Sequence, residues 1–258
     1  MGYEHLEFTA DGRRANVELA RPDVMNAVNA ELAIELCACL REIDRDASID
    51  VVTLTGRGDA FCSGYDLGEL EDDVDGMTYR NFSRHMDGKR ALQDLSRVMR
   101  SSETIFVAVA EGYTLGIGFE LSMIADICIA DADATFGFPE TKVGLSITNG
   151  VTNLLPRVVG PQRAKLLTLT GERISGEEAA REGLIADAVP ASELEERTEA
   201  VVGAILDRAP TAISFMKELV NAGVEGEYDD SLERELNAGA ELLQTEEYAE
   251  AISDFFEG

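Results

Sequence analysis

Apolar positions along this chain recur with two different periods, and the alternation between them outlines the fold. Residues 5–9 and 14–20 read as strands joined across Asp11-Gly12, a hairpin-type turn. Over about 29–45, Leu32, Leu36, Cys39, Leu40 and Ile43 return at helical spacing and predict one apolar helix face. Val51-Val52-Thr53-Leu54-Thr55 is a short apolar run that stops at Gly56. Residues 105–110 repeat that design and stop at Gly112; 127–130 form a third such strand and 185–189 a fourth. Helical patterns intervene at about 86–101, 116–124 and 161–169. A capping box spanning Ser175 to Glu178 opens another helix over about 175–182. Strand and helix in alternation predict an α/β core whose strands run largely parallel.

The pattern changes after Pro190. Residues 191–208, 210–222 and 229–256 are helical in period with no strand signal, which divides the chain into a core over 1–190 and a helical region over 191–258. That region either packs on the core or serves assembly. Residues 68–85, acidic and without a period, are expected to form a mobile irregular stretch. There is no long internal repeat and no low-complexity tract.

Composition narrows the function classes. A hydrophobic share of 45% is that of a globular protein, and no apolar run reaches the roughly 18–20 residues that span a bilayer. The first ten residues lack both the basic start and the apolar centre of a signal peptide, so a cytoplasmic location is expected. Charge is the extreme feature, with 50 acids against 22 bases, or −28, and only four of those bases are lysines (Lys89, Lys142, Lys165, Lys217). Such a surface repels phosphate backbones, so neither nucleic acid nor a membrane is expected as a partner. Acids spread along the whole chain predict adaptation to high salt, where screening relieves their mutual repulsion; a merely well-solvated surface is the alternative.

The chain has four cysteines (Cys37, Cys39, Cys62, Cys128) and two histidines (His5, His85). The cysteines form no metal or disulfide framework, and buried reduced thiols are expected. With so few histidines, most Ser-His and Cys-His mechanisms drop out and carboxylates remain as the candidate bases.

Two carboxylates stand out by their surroundings. Glu120 ends the run Gly112-Tyr113-Thr114-Leu115-Gly116-Ile117-Gly118-Phe119-Glu120, and Glu140 follows Phe136-Gly137-Phe138-Pro139. Apolar neighbours disfavour the charged form and lift a carboxyl toward the range useful for proton transfer. Glycines at 64, 116 and 118 allow backbone N–H groups to face a ligand, and near Gly116 and Ile117 those groups fall at a helix N-terminus, which favours developing negative charge. A glycine-lined turn with an incidental glutamate accounts equally well for the spacing alone. The dinucleotide fingerprint fails because Leu121 holds the place of its third glycine, and there is no phosphate-binding P-loop.

Several ordered motifs carry a more specific signal. They are Arg21-Pro22…Asn26-Ala27, Gly58…Phe61-Cys62-Ser63-Gly64-Tyr65-Asp66-Leu67 and Gly112-Tyr113…Leu115-Gly116…Gly118…Glu120-Leu121. Ala125-Asp126-Ile127…Ile129-Ala130, Phe136-Gly137…Pro139-Glu140 and Leu155-Pro156-Arg157…Gly160 follow. Together they resemble the enoyl-CoA hydratase/isomerase (crotonase) superfamily over nearly the whole chain. The resemblance implies a spiral of ββα units over 1–190 and a helical region over 191–258 that assembles trimers or dimers of trimers. It implies an acyl-CoA substrate, with coenzyme A entering as part of that substrate and no separate cofactor or metal. Glu120 and Glu140 match the acid/base pair of family hydratases, and the backbone N–H groups of Tyr65 and Ile117 match the two oxyanion donors. The coenzyme A arm would run along residues 24–27 and 60–68, touching Met25, Ala27, Ala60, Ser63, Gly64, Tyr65, Asp66, Leu67 and Gly68, with Gly116 and Ile117 beside the thioester. The reaction implied is reversible addition of water to a 2-trans-enoyl-CoA; isomerase, hydrolase or C–C bond chemistry on the same scaffold, or a non-catalytic coenzyme A binder, are its rivals.

The sequence departs from the family at three places. Ile117 puts a branched side chain within the usual glycine run, Gly68 replaces a frequent basic residue, and no acid lies between Thr141 and Gly150, which favours hydratase over single-acid isomerases. Thr148 and Asn149 are candidates to meet a polar acyl group, and Leu67, Leu70, Met77, Phe82 and Met86 to line an acyl pocket or the core. Asp66 is expected to order its loop, His85 to lie at the surface, and Lys217 to sit on a solvated helix face.

Overall fold

The computed structural model describes residues 2–73 and 76–257. Its strands are β1 (Leu6–Asp11), β2 (Arg14–Leu19), β3 (Val51–Gly56), β4 (Ile105–Ala110), β5 (Tyr113–Leu115), β6 (Ile127–Asp131), β7 (Thr135–Gly137), β8 (Arg173–Ser175) and β9 (Asp187–Val189). Its helices are α1 (Ala30–Ile43), α2 (Tyr79–Ser101), α3 (Ile117–Ile124), α4 (Val151–Thr170), α5 (Gly176–Arg181), α6 (Leu194–Leu206), α7 (Pro210–Glu225), α8 (Tyr228–Leu242) and α9 (Glu246–Glu257). One sheet runs β1-β2-β3-β4-β6-β9, antiparallel between β1 and β2 and parallel elsewhere; a smaller one runs β5-β7-β8.

The continuous apolar runs have a simple cause. Successive residues of a strand face opposite sides of a sheet, and this sheet is covered on both. Val52, Leu54, Phe106, Ala108, Cys128 and Ala130 join the main core with α1, α2 and α3. Val51, Ile105, Val107 and Ile129 form a second cluster on the other face, closed by Leu194 and Val202 of α6. The first helix of the C-terminal region thus supplies one wall of the sheet. All four cysteines are free and buried, Cys37 and Cys39 included although they are two apart on α1.

Three expectations need correction. The irregular stretch expected over 68–85 is largely ordered: residues 67–73 form a 3-10 segment, α2 begins at Tyr79 behind a Thr78 cap, and positions 74 and 75 lie outside the described residues. The early turns of α2 carry no apolar stripe because polar contacts hold them; Arg84 reaches Glu31 on α1 and Glu69 in the 3-10 segment, each at 2.8 Å. His85 is accordingly buried on α2, not at the surface. Lys217 is buried too, its Nζ donating to Met99 O (2.6 Å) and Thr104 O (2.7 Å) and pairing with Asp126 (2.8 Å). Element ends also differ: α4 starts ten residues before the expected 161 and bends at Gly160 (φ 75°), and the expected 229–256 helix is two, parted by a turn whose Thr245 hydroxyl accepts from Tyr248 N–H. Among the described residues no helix is long and apolar enough to cross a membrane, and no group of three or more His, Cys, Asp or Glu could hold a metal.

Candidate active site

Two chain segments of parallel register build the centre of the site. Cys62 and Thr114 form a parallel bridge, and three residues further along each segment stand Tyr65 and Ile117. Val28 N–H donates to Gly64 O and Asp66 N–H to Val28 O, so the peptide N–H of Tyr65 points to the side opposite Val28. Ile117 opens α3, and a first-turn N–H has no acceptor further back in its helix. The turn between β5 and α3 closes through Gly116, at φ 52° and ψ −117°, a backbone conformation that favours glycine. A methyl group on Gly116 would lie 3.4 Å from the Gly64 Cα and 2.9 Å from Glu140 Oε1, so the two N–H-bearing turns and one carboxylate meet there. Gly118 is needed for close approach, since a Cβ on it would fall 2.3 Å from Cys62 O.

Glu120 sits in the first turn of α3, 1% exposed. Burial pushes its carboxyl up to about 7, Asn149 N–H partly offsets that by donating to Oε2 at 2.9 Å, and the negative charge of Glu140 adds to the rise. Glu140 begins the 3-10 segment Glu140–Val143 after β7, and its carboxyl is raised as well, again mainly by burial. Its Oε2 is buried with no hydrogen-bond partner among the described residues. Close to each acid in the chain, Phe119 stacks on Phe138 at 4.5 Å between ring centres and meets Phe136 edge-on at 5.0 Å, a fully buried aromatic cluster in the core. Two carboxyls raised by burial beside backbone donors are suited to give and take protons near neutral pH.

A second layer fixes these groups. Gln93 and Ser96 of α2 donate to the carbonyls of Thr148 and Asn149, which pins the strand of chain that holds Glu120. Tyr65 Oη lies 2.6 Å from His85 Nδ1 and donates to Glu69 Oε2 at 3.1 Å. Glu69 also takes the ion pair from Arg84, tying the Tyr65 loop to α2.

Of the remaining candidate residues, Met25, Ala27, Ala60, Asp66 and Gly68 do not line the cleft at this centre, whereas Ser63, Gly64, Tyr65 and Leu67 of the same segments do. The segment with Met25 and Ala27 is fastened to that with Ala60 and Ser63: buried Asn26 donates to Arg57 O and Ala60 O, and Ser63 N–H donates to Met25 O. Asp66 orders its loop, accepting from Gly68 N–H and from Arg21. A cleft of about 220 Å³ opens over Ser63, Gly64, Tyr65, Leu67, Gly116, Ile117, Glu120 and Glu140. Of the proposed acyl-pocket residues it contains Leu67 but not Leu70, Met77, Phe82 or Met86; Thr148 lines it, whereas Asn149 lies behind Glu120. Pro139, Lys89, Leu92, Lys142, Val143, Leu145 and Ser146 complete the wall, and none of them was singled out from the sequence as a site residue. The one available signal was helical: Lys89 and Leu92 lie four and seven residues beyond His85, on the same face.

The chain as a whole matches known proteins. The family model for enoyl-CoA hydratase/isomerase matches residues 12–258. A short-chain-enoyl-CoA hydratase of Clostridium acetobutylicum is 32% identical over 258 residues, covering 100% of this chain and 96% of its own length. A crotonyl-CoA hydratase of Syntrophomonas wolfei is 30% identical with the same coverage. The crystal structure of an enoyl-CoA hydratase from Bacillus anthracis superposes with a TM-score of 0.89 at 30% identity, over 98% of this chain and 96% of that one. On a family match of this extent, with the fold of a solved hydratase alongside it, the chain belongs to the enoyl-CoA hydratase/isomerase family of enzymes.

Proposed function

We propose that this enzyme adds water reversibly to 2-trans-enoyl-CoA thioesters, giving 3-hydroxyacyl-CoA, with Glu120 and Glu140 as the acid/base pair. The observation that carries the reading is the meeting at Gly116 of one carboxylate and the two N–H-bearing turns, with the second carboxylate buried nearby. Hydration moves negative charge onto the thioester oxygen. The N–H groups of Tyr65 and Ile117 are the donors for that charge, and losing one such donor costs roughly 3–4 kcal/mol of barrier. The ionised glutamate takes a proton from water attacking C3 while the protonated one delivers a proton to C2. The coenzyme A arm follows Met25, Ala27, Ala60, Ser63 and the 64–68 loop. Coenzyme A belongs to the substrate, and the reaction needs no further cofactor. The exposed apolar residues Val220, Val224, Leu232, Leu236 and Phe255 on α7, α8 and α9 support assembly as a trimer or dimer of trimers.

Loss of enoyl absorbance with crotonyl-CoA tests the reading. Glu120→Gln and Glu140→Gln should each lower kcat by about 10²-fold or more, since a positioned acid or base contributes roughly 10²–10⁴. Wild-type turnover in both variants would refute the paired mechanism.

A further inference from the structure

A second charge feature of the cleft bears on which acyl groups it takes. In a chain of net charge −28 with four lysines, two of them, Lys89 and Lys142, line this cleft. Among the described residues the carboxylates in its wall are Glu120 and Glu140, both pushed toward their neutral forms by burial. Lys142 is spoken for, its Nζ donating to Gly171 O at 2.7 Å. Lys89 is different. It is half-buried on α2, and its Nζ has no hydrogen-bond or ion-pair partner among the described residues. Lys217, which is buried, has three oxygen acceptors. An ammonium on a cleft wall that no protein acceptor holds is available to a ligand that brings an anionic oxygen.

We infer that Lys89 receives a carboxylate at the far end of a short acyl chain, so that the preferred substrates are 2-enedioyl thioesters rather than neutral 2-enoyl ones. This rests on the hydratase reading above. The location selects the acyl end over the coenzyme A phosphates: Lys89 stands on α2 between His85, which meets Tyr65, and Gln93, which donates to Thr148 O, so it belongs to the wall beside the acid pair and not to the 24–27 segment, and the cleft it lines is about 220 Å³. That volume lies below the roughly 300 Å³ at which sites for whole drug-sized ligands begin. The rest of the protein repels an anionic acyl group, so a local cation is what makes its entry favourable.

The test compares chain-matched pairs: glutaconyl-CoA against 2-pentenoyl-CoA, and 2-hexenedioyl-CoA against 2-hexenoyl-CoA, in KCl sufficient to keep the protein folded. The wild type should favour at least one anionic member by about tenfold or more in kcat/KM. In Lys89→Met the ratio between anionic and neutral substrates should fall by about tenfold, and Lys89→Arg should restore most of it. A wild type that favours the neutral member of both pairs, or shows no preference, overturns the assignment. So does a Lys89→Met variant in which all substrates weaken equally, the result expected of a phosphate contact or a packing role. Calorimetric binding of glutaryl-CoA against pentanoyl-CoA reads the same preference without turnover; it can succeed where hydration fails, and equal affinities there would sink the proposal even in an active hydratase.

Discussion

At the scale of single residues, the site sets chemistry against stability. Glu120 would titrate at 4.5 if free and at about 7 in the folded protein, because burial penalises its ionised form. Below pH 4.5 it is protonated folded or unfolded. As pH rises toward 7 the unfolded chain releases its proton first, so folding stability falls across that window. Glu120→Gln should therefore be more stable than wild type at pH 8, by about 3 kcal/mol at most, with the gain vanishing toward pH 4.5; urea melts at the two pH values check this. Gly116 is the other sensitive point. Alanine there would have to adopt φ 52° and place a methyl 2.9 Å from Glu140 Oε1. Gly116→Ala should cut kcat by tenfold or more while the far-UV circular dichroism stays that of the wild type.

At the scale of elements, polar ties settle what apolar periodicity cannot. Lys217 joins α7 to the ends of α2 and β4 through two carbonyls and Asp126, which in turn accepts from Phe106 N–H. Burial pushes the Lys217 ammonium down and the Asp126 carboxyl up, so desolvation outweighs their attraction, and the pair matters chiefly because either member alone would be a stranded charge. Lys217→Met should cost about 3–5 kcal/mol, and Lys217→Met combined with Asp126→Leu less than the sum of the single changes, by chemical denaturation. The same ties explain what the sequence made legible. Strands β3, β4 and β6 and helix α1 were readable because packing on a sheet imposes a period. The pairing of Tyr65 with Ile117 and the two glutamates came from motif order. The first turns of α2, the burial of His85 and the place of Lys217 were not readable: each depends on a partner 20 to 118 positions away, and a polar residue that finds such a partner looks in the sequence like one that faces water.

At the scale of the whole molecule, charge governs solution behaviour. With 50 acids against 22 bases, the folded chain repels itself in dilute buffer. The melting temperature should rise steeply between dilute buffer and molar KCl, where the Debye length falls to about 3 Å; a flat profile would leave solvation alone as the reason for the acids. The bridge between Cys62 and Thr114 has a consequence for the whole family of variants this scaffold can accept. If peptide hydrogens do the stabilising, their separation is a matter of counting residues from a shared rung, and the side chains at 65 and 117 serve only to anchor the turns, Tyr65 through His85 and Glu69 and Ile117 through the core. One residue inserted between 62 and 65, or deleted between 114 and 117, would throw the two hydrogens out of step and silence the enzyme even if every glycine and side chain that shapes the turns were kept.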